Sequence, residues 1–201
     1  MKPIAPRPIP LPIDPHDAPM WMRMIFAYAR RIAARLTGKA IVPAPVRMMA
    51  HQPRLLLGAA AMETALSRMD SVPKRAKLLA EMQVARLAGC RYCIDIGSAI
   101  AARAGVREHE ILALPDFEGD PHFDAMDRAV LRYATGMSRT PAAVSPADLH
   151  DLRRYCDDRQ IIELTAVIAW ENQRVRFNQA LHIAPDGFRA GLPEPEHAAA
   201  R

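Results

Sequence analysis

The chain reads EMQVARLAGCRYCID from Glu81 to Asp95, which places two cysteines, Cys90 and Cys93, directly after Gly89. Two thiols with this spacing can form and break a disulfide without unfolding the chain. If a helix begins here, its free backbone N–H groups and the positive end of its dipole lower the pKa of a thiol. The pattern predicts a reactive pair, although half of a zinc site or two unrelated buried cysteines would show the same spacing.

Helical patterns extend on both sides of this pair. Gly89 separates two predicted helices, one over residues 74–88 and one over residues 90–104. Gly105 follows the second and stands where a helix commonly ends on a glycine.

The rest of the chain continues in the same way. Apolar spacing predicts a one-sided helix over residues 125–137, and Ser145 caps a short helix that runs to about Tyr155. An aspartate at 157 or 158 caps the last long helix, which extends to about His182. Because no segment alternates long enough for a strand, we predict an all-α, single-domain helical bundle.

The 201 residues divide into three predicted parts. Seven prolines from Pro3 to Pro19 exclude a helix, so residues 1–19 form a proline-rich arm that lies along the body or a neighbouring subunit. Residues 20–190 form the helical domain, and residues 191–201 form a tail. Half of the residues are apolar, which is enough for one large core.

The net charge of +5 raises the question of nucleic acid. Arg30, Arg31, Arg35 and Lys39 form a basic stretch on a predicted helix, but aromatic side chains hardly interleave with it. A solvated helix face explains such a stretch better than a nucleic-acid site does.

Cysteine content and hydropathy indicate the compartment. Three cysteines are too few for a disulfide scaffold, and the proline-rich start does not resemble a secretory signal. Charged residues interrupt every apolar run before it reaches the roughly 18 residues of a membrane helix. We therefore expect a cytoplasmic protein with no membrane partner.

Residues 81–95, together with 98–105, resemble the central motif of the alkylhydroperoxidase D and carboxymuconolactone decarboxylase superfamily. Two flanking stretches are similar to that superfamily as well, one over residues 49–56 and one over residues 170–181 with its Asn and Arg-Phe pattern. The resemblance covers about residues 48–188.

This resemblance implies an all-helical subunit that forms homo-oligomers and carries a redox-active dithiol. The decarboxylase branch lacks the cysteine pair, so Cys90 and Cys93 favour the hydroperoxidase branch. In that branch one thiolate attacks the peroxide, the sulfenic acid condenses with the other thiol, and a thiol reductant resets the disulfide. The expected partners are a small peroxide or a protein disulfide, and no cofactor or metal is expected.

The chain departs from the family motif at two positions. The family has a glutamate twelve residues before the first cysteine and a histidine four residues after the second, and Leu78 and Gly97 stand there in this chain. Glu81, one helical turn after Leu78, is a candidate for the missing base, and a solvated surface glutamate is the equally weighted alternative.

Five residues are candidates for a substrate pocket: Tyr92, Gly97, Asn172, Arg176 and His182. A glycine within a helix indicates either close packing or space for a ligand beside the dithiol. Asn172 and Arg176, four residues apart, can bind a carboxylate or cap a neighbouring helix. Packing or a structural role is the alternative for Tyr92 and His182 too.

Three hypotheses for the function follow. The first is a peroxide-reducing thiol–disulfide oxidoreductase that uses Cys90 and Cys93. The second is a non-catalytic or ligand-binding oligomer of the same fold, and the third is a decarboxylase-like enzyme that acts on a small organic acid near Arg176. Cys156 has no partner at a useful spacing, so a zinc site that includes it lacks a fourth ligand.

Overall fold

The structure, a computed structural model, describes residues 10–189 and contains helices but no strand in that range. The helices are α1 (Met20–Thr37), α2 (Ala44–Met49), α3 (Pro53–Arg68), α4 (Lys74–Leu87), α5 (Arg91–Arg103), α6 (Glu108–Ala113), α7 (Ala125–Ser138), α8 (Pro146–Leu152) and α9 (Asp158–Ala180). A 3₁₀ turn, Leu114–Asp116, follows α6. The prediction of an all-α single domain is confirmed, and assembly into oligomers stays a prediction.

The glycines on either side of α5 adopt the conformation that favours glycine. Gly89 has a φ of 65° and Gly105 a φ of 85°, both in the left-handed region. The chain can therefore turn sharply after α4 and again after α5, as the sequence predicts.

The sequence predicts where the later helices begin more accurately than where they end. The side chains of Ser145 and Asp157 accept backbone N–H bonds at the starts of α8 and α9. Helix α8 ends at Leu152 rather than near Tyr155, because residues 153–155 continue as a turn.

Helix α4 lies at the centre of the bundle and packs against α5, α7 and α9. Leu79, Ala80 and Val84 on α4 have no exposed surface. An ion pair between Lys77 Nζ and Glu163 Oε1, 2.7 Å apart, joins the beginnings of α4 and α9. The cysteine pair therefore follows directly from the most buried helix.

Both ends of the described chain are attached to the body. In the predicted arm, the Ile13 N–H donates to the Arg47 carbonyl at 3.3 Å, and His51 Nε2 lies 2.8 Å from the Leu11 carbonyl oxygen. Residues 10–19 therefore contact the α2 region of their own chain. The predicted roles of residues 1–9 and of the tail lie outside the described residues.

Residues 183–189, which we call the C-terminal strap, cross from the end of α9 to α5. The Asp95 carboxylate on α5 accepts the backbone N–H bonds of Phe188 at 2.9 Å and Arg189 at 2.6 Å. The Asp186 carboxylate accepts the N–H of Ala44 at 2.8 Å. The strap thus holds α5 and the start of α2 together. No helix within residues 10–189 is both long and apolar enough to cross a membrane.

Candidate active site

Cys90 and Cys93 form a disulfide at the beginning of α5, with their Cα atoms 5.3 Å apart. Cys90 is the N-cap residue, and its Sγ accepts the backbone N–H of Cys93 at 3.2 Å. The cysteines are only 2% and 6% exposed. A sulfur in the N-cap position faces the unpaired N–H groups of the first turn, which favour a thiolate.

Two backbone bonds hold the first cysteine in this position. The Cys90 N–H donates to the Ala85 carbonyl at 2.9 Å, and the Cys90 carbonyl accepts the Ile94 N–H at 2.9 Å. The end of α4 and the start of α5 therefore share Cys90, and Gly89 makes the turn between them.

Helix α9 supplies a side chain to the second sulfur. Asn178 Nδ2 donates to Cys93 Sγ at 3.3 Å, and the asparagine is 4% exposed. Asn178 was not among the candidate residues of the sequence analysis. Its signal is a polar residue on the buried stripe of α9, three positions after buried Val175.

Glu81, the predicted base, is paired with a cation. Its Oε1 lies 2.6 Å from Arg174 Nη2 on α9, and Arg174 also contacts Glu63 at 3.2 Å and Glu171 at 2.7 Å. Glu81 lies seven positions before Ala88, the C-cap of α4, which is about 10 Å along the helix axis. The role of Glu81 as the base stays a prediction.

The buried member of this carboxylate cluster is Glu171, which is 6% exposed. Burial raises the pKa of Glu171 to about 7; Arg174 opposes the rise, whereas Glu81 and Glu63 add to it. One guanidinium serves three carboxylates, so a proton on Glu171 relieves the remaining repulsion.

We expect Glu171→Gln to stabilise the protein at alkaline pH. The pKa of this carboxyl is higher in the folded protein than in the unfolded chain. The free energy of unfolding therefore falls as the pH rises from the unfolded pKa, near 4.3, to the folded pKa, about 7. The free energy of unfolding of the variant should exceed that of wild type by about 3 kcal/mol at pH 8 and nearly match it near pH 4.5. Urea unfolding at several pH values measures this difference.

Glu118→Gln is the matched control, because Glu118 is an exposed carboxylate paired with Arg132. Its variant should show no gain that grows with pH. A loss of stability in Glu171→Gln at pH 8 would contradict the expectation, since it would mean that the ionised carboxylate stabilises the fold.

Apolar side chains surround the two positions, Leu78 and Gly97, at which the chain departs from the family motif. Leu78 is 7% exposed within a hydrophobic cluster that includes Leu79 and Met82. A Cβ atom added at Gly97 would lie 2.6 Å from Met82 Sδ. Gly97 therefore packs closely against Met82, and its place in a substrate pocket stays a prediction.

Tyr92, a predicted pocket residue, is 3% exposed and faces the C-terminal strap. Burial, followed by the carboxylates of Asp186 and Asp95, raises the pKa of the Tyr92 hydroxyl above its usual range. The phenol is therefore neutral. Its place in a substrate pocket stays a prediction.

Asn172 and Arg176 join α9 to the end of α7. Asn172 Nδ2 donates to Ser138 Oγ at 3.1 Å. Arg176 donates to Asn172 Oδ1 and to Thr140 Oγ1, both at 3.2 Å. These contacts are made to neutral side chains, and both the capping of a neighbouring helix and the binding of a substrate carboxylate stay predictions.

Two further residues lie apart from these contacts. His182 is exposed just beyond α9 and has a φ of 48°. Its role in a substrate pocket stays a prediction. Cys156 is buried, and burial, with a contribution from Asp157, raises the pKa of its thiol. A thiol of this kind is a poor nucleophile at neutral pH.

Two shallow depressions of the surface lie away from the disulfide. One, of about 350 Å³, is lined by residues that include Met69 and Ile162. The other, of about 300 Å³, is lined by residues that include Phe117 and Arg132. Neither lining includes Cys90 or Cys93.

Comparisons with known proteins agree on the helical core. The carboxymuconolactone decarboxylase family matches residues 53–136. The uncharacterized protein YnjA of Escherichia coli (strain K12) is 33% identical over 116 residues, which is 58% of this chain and 63% of YnjA. The match thus spans less than two thirds of that relative.

Solved structures are similar over more of the chain. The debrominase Bmp8 is 25% identical, with a TM-score of 0.77 over 90% of this chain and 94% of its own. A cysteine-to-alanine variant of Bmp8 has been solved in complex with 2,3,4-tribromopyrrole. A peroxidase-related protein from Ralstonia eutropha JMP134, described as an alkylhydroperoxidase AhpD core, is 19% identical, with a TM-score of 0.73 over 94% of this chain and 96% of its own.

Proposed function

Because the chain belongs to the alkylhydroperoxidase D and carboxymuconolactone decarboxylase superfamily, we propose that it is a thiol–disulfide oxidoreductase that reduces a small peroxide with Cys90 and Cys93. The observation that carries this proposal is the disulfide at the N-terminus of α5. Both sulfurs have hydrogen-bond donors there, which stabilise the thiolates that such a cycle requires.

The proposed reaction consumes one peroxide and two thiols. The thiolate of one cysteine attacks the peroxide, the O–O bond breaks, and an alcohol leaves after it takes up a proton. The resulting sulfenic acid condenses with the second thiol, which forms the disulfide and releases water. Two external thiols reduce the disulfide and are oxidised to a disulfide themselves.

The burial of both sulfurs supports a closed cycle between them. A sulfenic acid on a buried cysteine meets the neighbouring thiol before a second peroxide reaches it, which protects it from irreversible oxidation. The proposed setting is a reducing compartment such as the cytoplasm, where an external thiol is present, and the proposed assembly is a homo-oligomer.

Reductive debromination is a second candidate, and the similarity to the debrominase Bmp8 favours it. In this reaction two thiols supply two electrons to a carbon–bromine bond. Bromide leaves, the carbon takes up a proton, and Cys90 and Cys93 become a disulfide. The dithiol has the same role in both candidates, and the substrate differs.

A single experiment separates the two candidates. Prereduced Cys156→Ser protein, which retains the pair and lacks the third thiol, is mixed anaerobically with tert-butyl hydroperoxide or with 2,3,4-tribromopyrrole. We expect loss of two thiols for each hydroperoxide consumed, and renewed turnover when dithiothreitol is added. Bromide release with the same thiol stoichiometry would select debromination, and no thiol loss with either compound would overturn the redox function.

A further inference from the structure

Asn178 is a buried polar residue on the face of α9 that packs into the bundle. Leu164, Ile168 and Val175, on the same face, are at most 2% exposed, and Asn178 is 4% exposed. An amide in such a place needs hydrogen bonds to offset the cost of leaving water.

Among the described residues, only one of the two polar atoms of the Asn178 side chain has a hydrogen-bond partner. Its Nδ2 donates to Cys93 Sγ at 3.3 Å, but Oδ1 is buried and has no hydrogen-bond partner among residues 10–189. A buried acceptor without a partner costs on the order of 1–3 kcal/mol, and a leucine of similar size would avoid that cost. The contact between Asn178 Nδ2 and Cys93 Sγ is therefore better explained by a role in the reaction than by a role in the stability of the fold.

The two sulfurs receive different donors. Cys90 Sγ accepts the backbone N–H of Cys93 at 3.2 Å, a bond that belongs to the helix cap. Cys93 Sγ accepts only a weak bond in the disulfide, since a neutral sulfur is a poor acceptor. If Cys93 Sγ becomes a thiolate, the same N–H bond becomes charge-assisted and about twice as strong.

We propose that Asn178 is a catalytic residue whose side-chain N–H stabilises the thiolate that forms on Cys93 when the disulfide opens by attack on Cys90. This inference deepens the proposed function and rests on it for its catalytic meaning. It also assigns separate stabilising groups to the two sulfurs, the helix N-terminus to Cys90 and the α9 amide to Cys93.

The step in which the amide acts is the reduction of the disulfide. The thiolate of an external thiol attacks Cys90 Sγ and forms a mixed disulfide, the Cys90–Cys93 bond breaks, and its electron pair moves to Cys93 Sγ. Asn178 Nδ2–H donates to that new thiolate. A second external thiolate then attacks the external sulfur of the mixed disulfide, which yields an external disulfide and the Cys90 thiolate, and the protons of the two external thiols balance the reaction.

The test measures the ionisation of Cys93 alone. In a Cys90→Ser, Cys156→Ser background, Cys93 is the only thiol, and serine preserves the N-cap of α5. The NMR shift of isotope-labelled Cys93 Cβ, followed against pH, gives the pKa of the thiol. We expect Asn178→Leu to raise this pKa by about one unit, and Asn178→Asp to raise it further because a carboxylate replaces the donor.

Asn172→Leu is the matched control, since Asn172 is a buried asparagine on the same helix that bonds to Ser138 and Ile168 rather than to sulfur. The control should leave the pKa of Cys93 unchanged. If Asn178→Leu does not fold, Asn178→Asp, which has nearly the same shape, provides the result. An unchanged pKa in the folded Asn178 variants would overturn the inference.

Thermal melting distinguishes chemistry from structure. A structural role predicts that Asn178→Leu lowers the melting temperature and leaves the pKa of Cys93 as it was, whereas our inference predicts the raised pKa with a melting temperature equal to or above that of the parent. The titration uses neither peroxide nor bromopyrrole. A raised pKa together with absent turnover would therefore reject the proposed function and keep the thiolate contact.

Discussion

Replacement of Cys90 or Cys93 by serine is expected to lower multiple-turnover reduction of hydroperoxide by at least about 10³-fold. Each cycle needs two electrons from two thiols, and a hydroxyl cannot form the disulfide that an external thiol resets. Serine is a good N-cap residue, so Cys90→Ser should keep α5 intact and lose only the chemistry. Steady-state consumption of tert-butyl hydroperoxide with dithiothreitol measures the loss.

The two serine variants should also differ from each other. The variant that retains the attacking cysteine should consume one equivalent of hydroperoxide and then stop as a sulfenic acid, whereas the other variant should consume none. Cys156→Ser is the control and should keep the wild-type rate, since Cys156 is buried and lies outside the pair. Sustained turnover in either single variant would rule out a disulfide cycle between Cys90 and Cys93.

Restoring the family glutamate by Leu78→Glu is expected to lower the free energy of unfolding by about 3–5 kcal/mol at neutral pH. Leu78 is 7% exposed among apolar neighbours that include Leu79 and Met82. A glutamate there loses its hydration and finds no cation within that cluster. Urea unfolding at pH 7 measures the change.

Leu78→Met tests whether volume alone matters at this position. A methionine of similar volume should cost less than about 1.5 kcal/mol, so the two variants separate charge from packing. A glutamate variant as stable as wild type would show that the cluster accommodates a carboxylate, and the position would then be open to a relay like that of the family.

The sequence predicts the helices around the cysteine pair well, because the signals for the ends of these helices come from a few neighbouring residues. Gly89 and Gly105 bound α5 through backbone conformations that favour glycine, and the boundaries of α4 and α5 match within about one residue. Ser145 caps α8 as its position predicts. Such signals depend only on a few neighbouring residues and need no knowledge of the fold.

Contacts between distant parts of the chain are what local patterns miss. Arg174 pairs with Glu81 across 93 residues, and Asn178 reaches Cys93 across 85 residues. Each contact depends on how α9 is placed beside α4 and α5, and helical periodicity gives the face of a helix but not the opposing residue. A polar residue on the buried face of a helix, such as Asn178, is nevertheless a sign of a buried contact.

The C-terminal strap is synthesised after all the other described residues. The strap donates the backbone N–H groups of Phe188 and Arg189 to the Asp95 carboxylate. Its Asp186 carboxylate binds the N–H of Ala44, which lies 142 residues earlier in the chain. A ribosome releases the cysteine pair long before it releases the strap, so the nascent thiols emerge before their helix is anchored on this side. The contacts that surround Cys90 and Cys93 in the structure are therefore completed only after residues 178–189 have been synthesised.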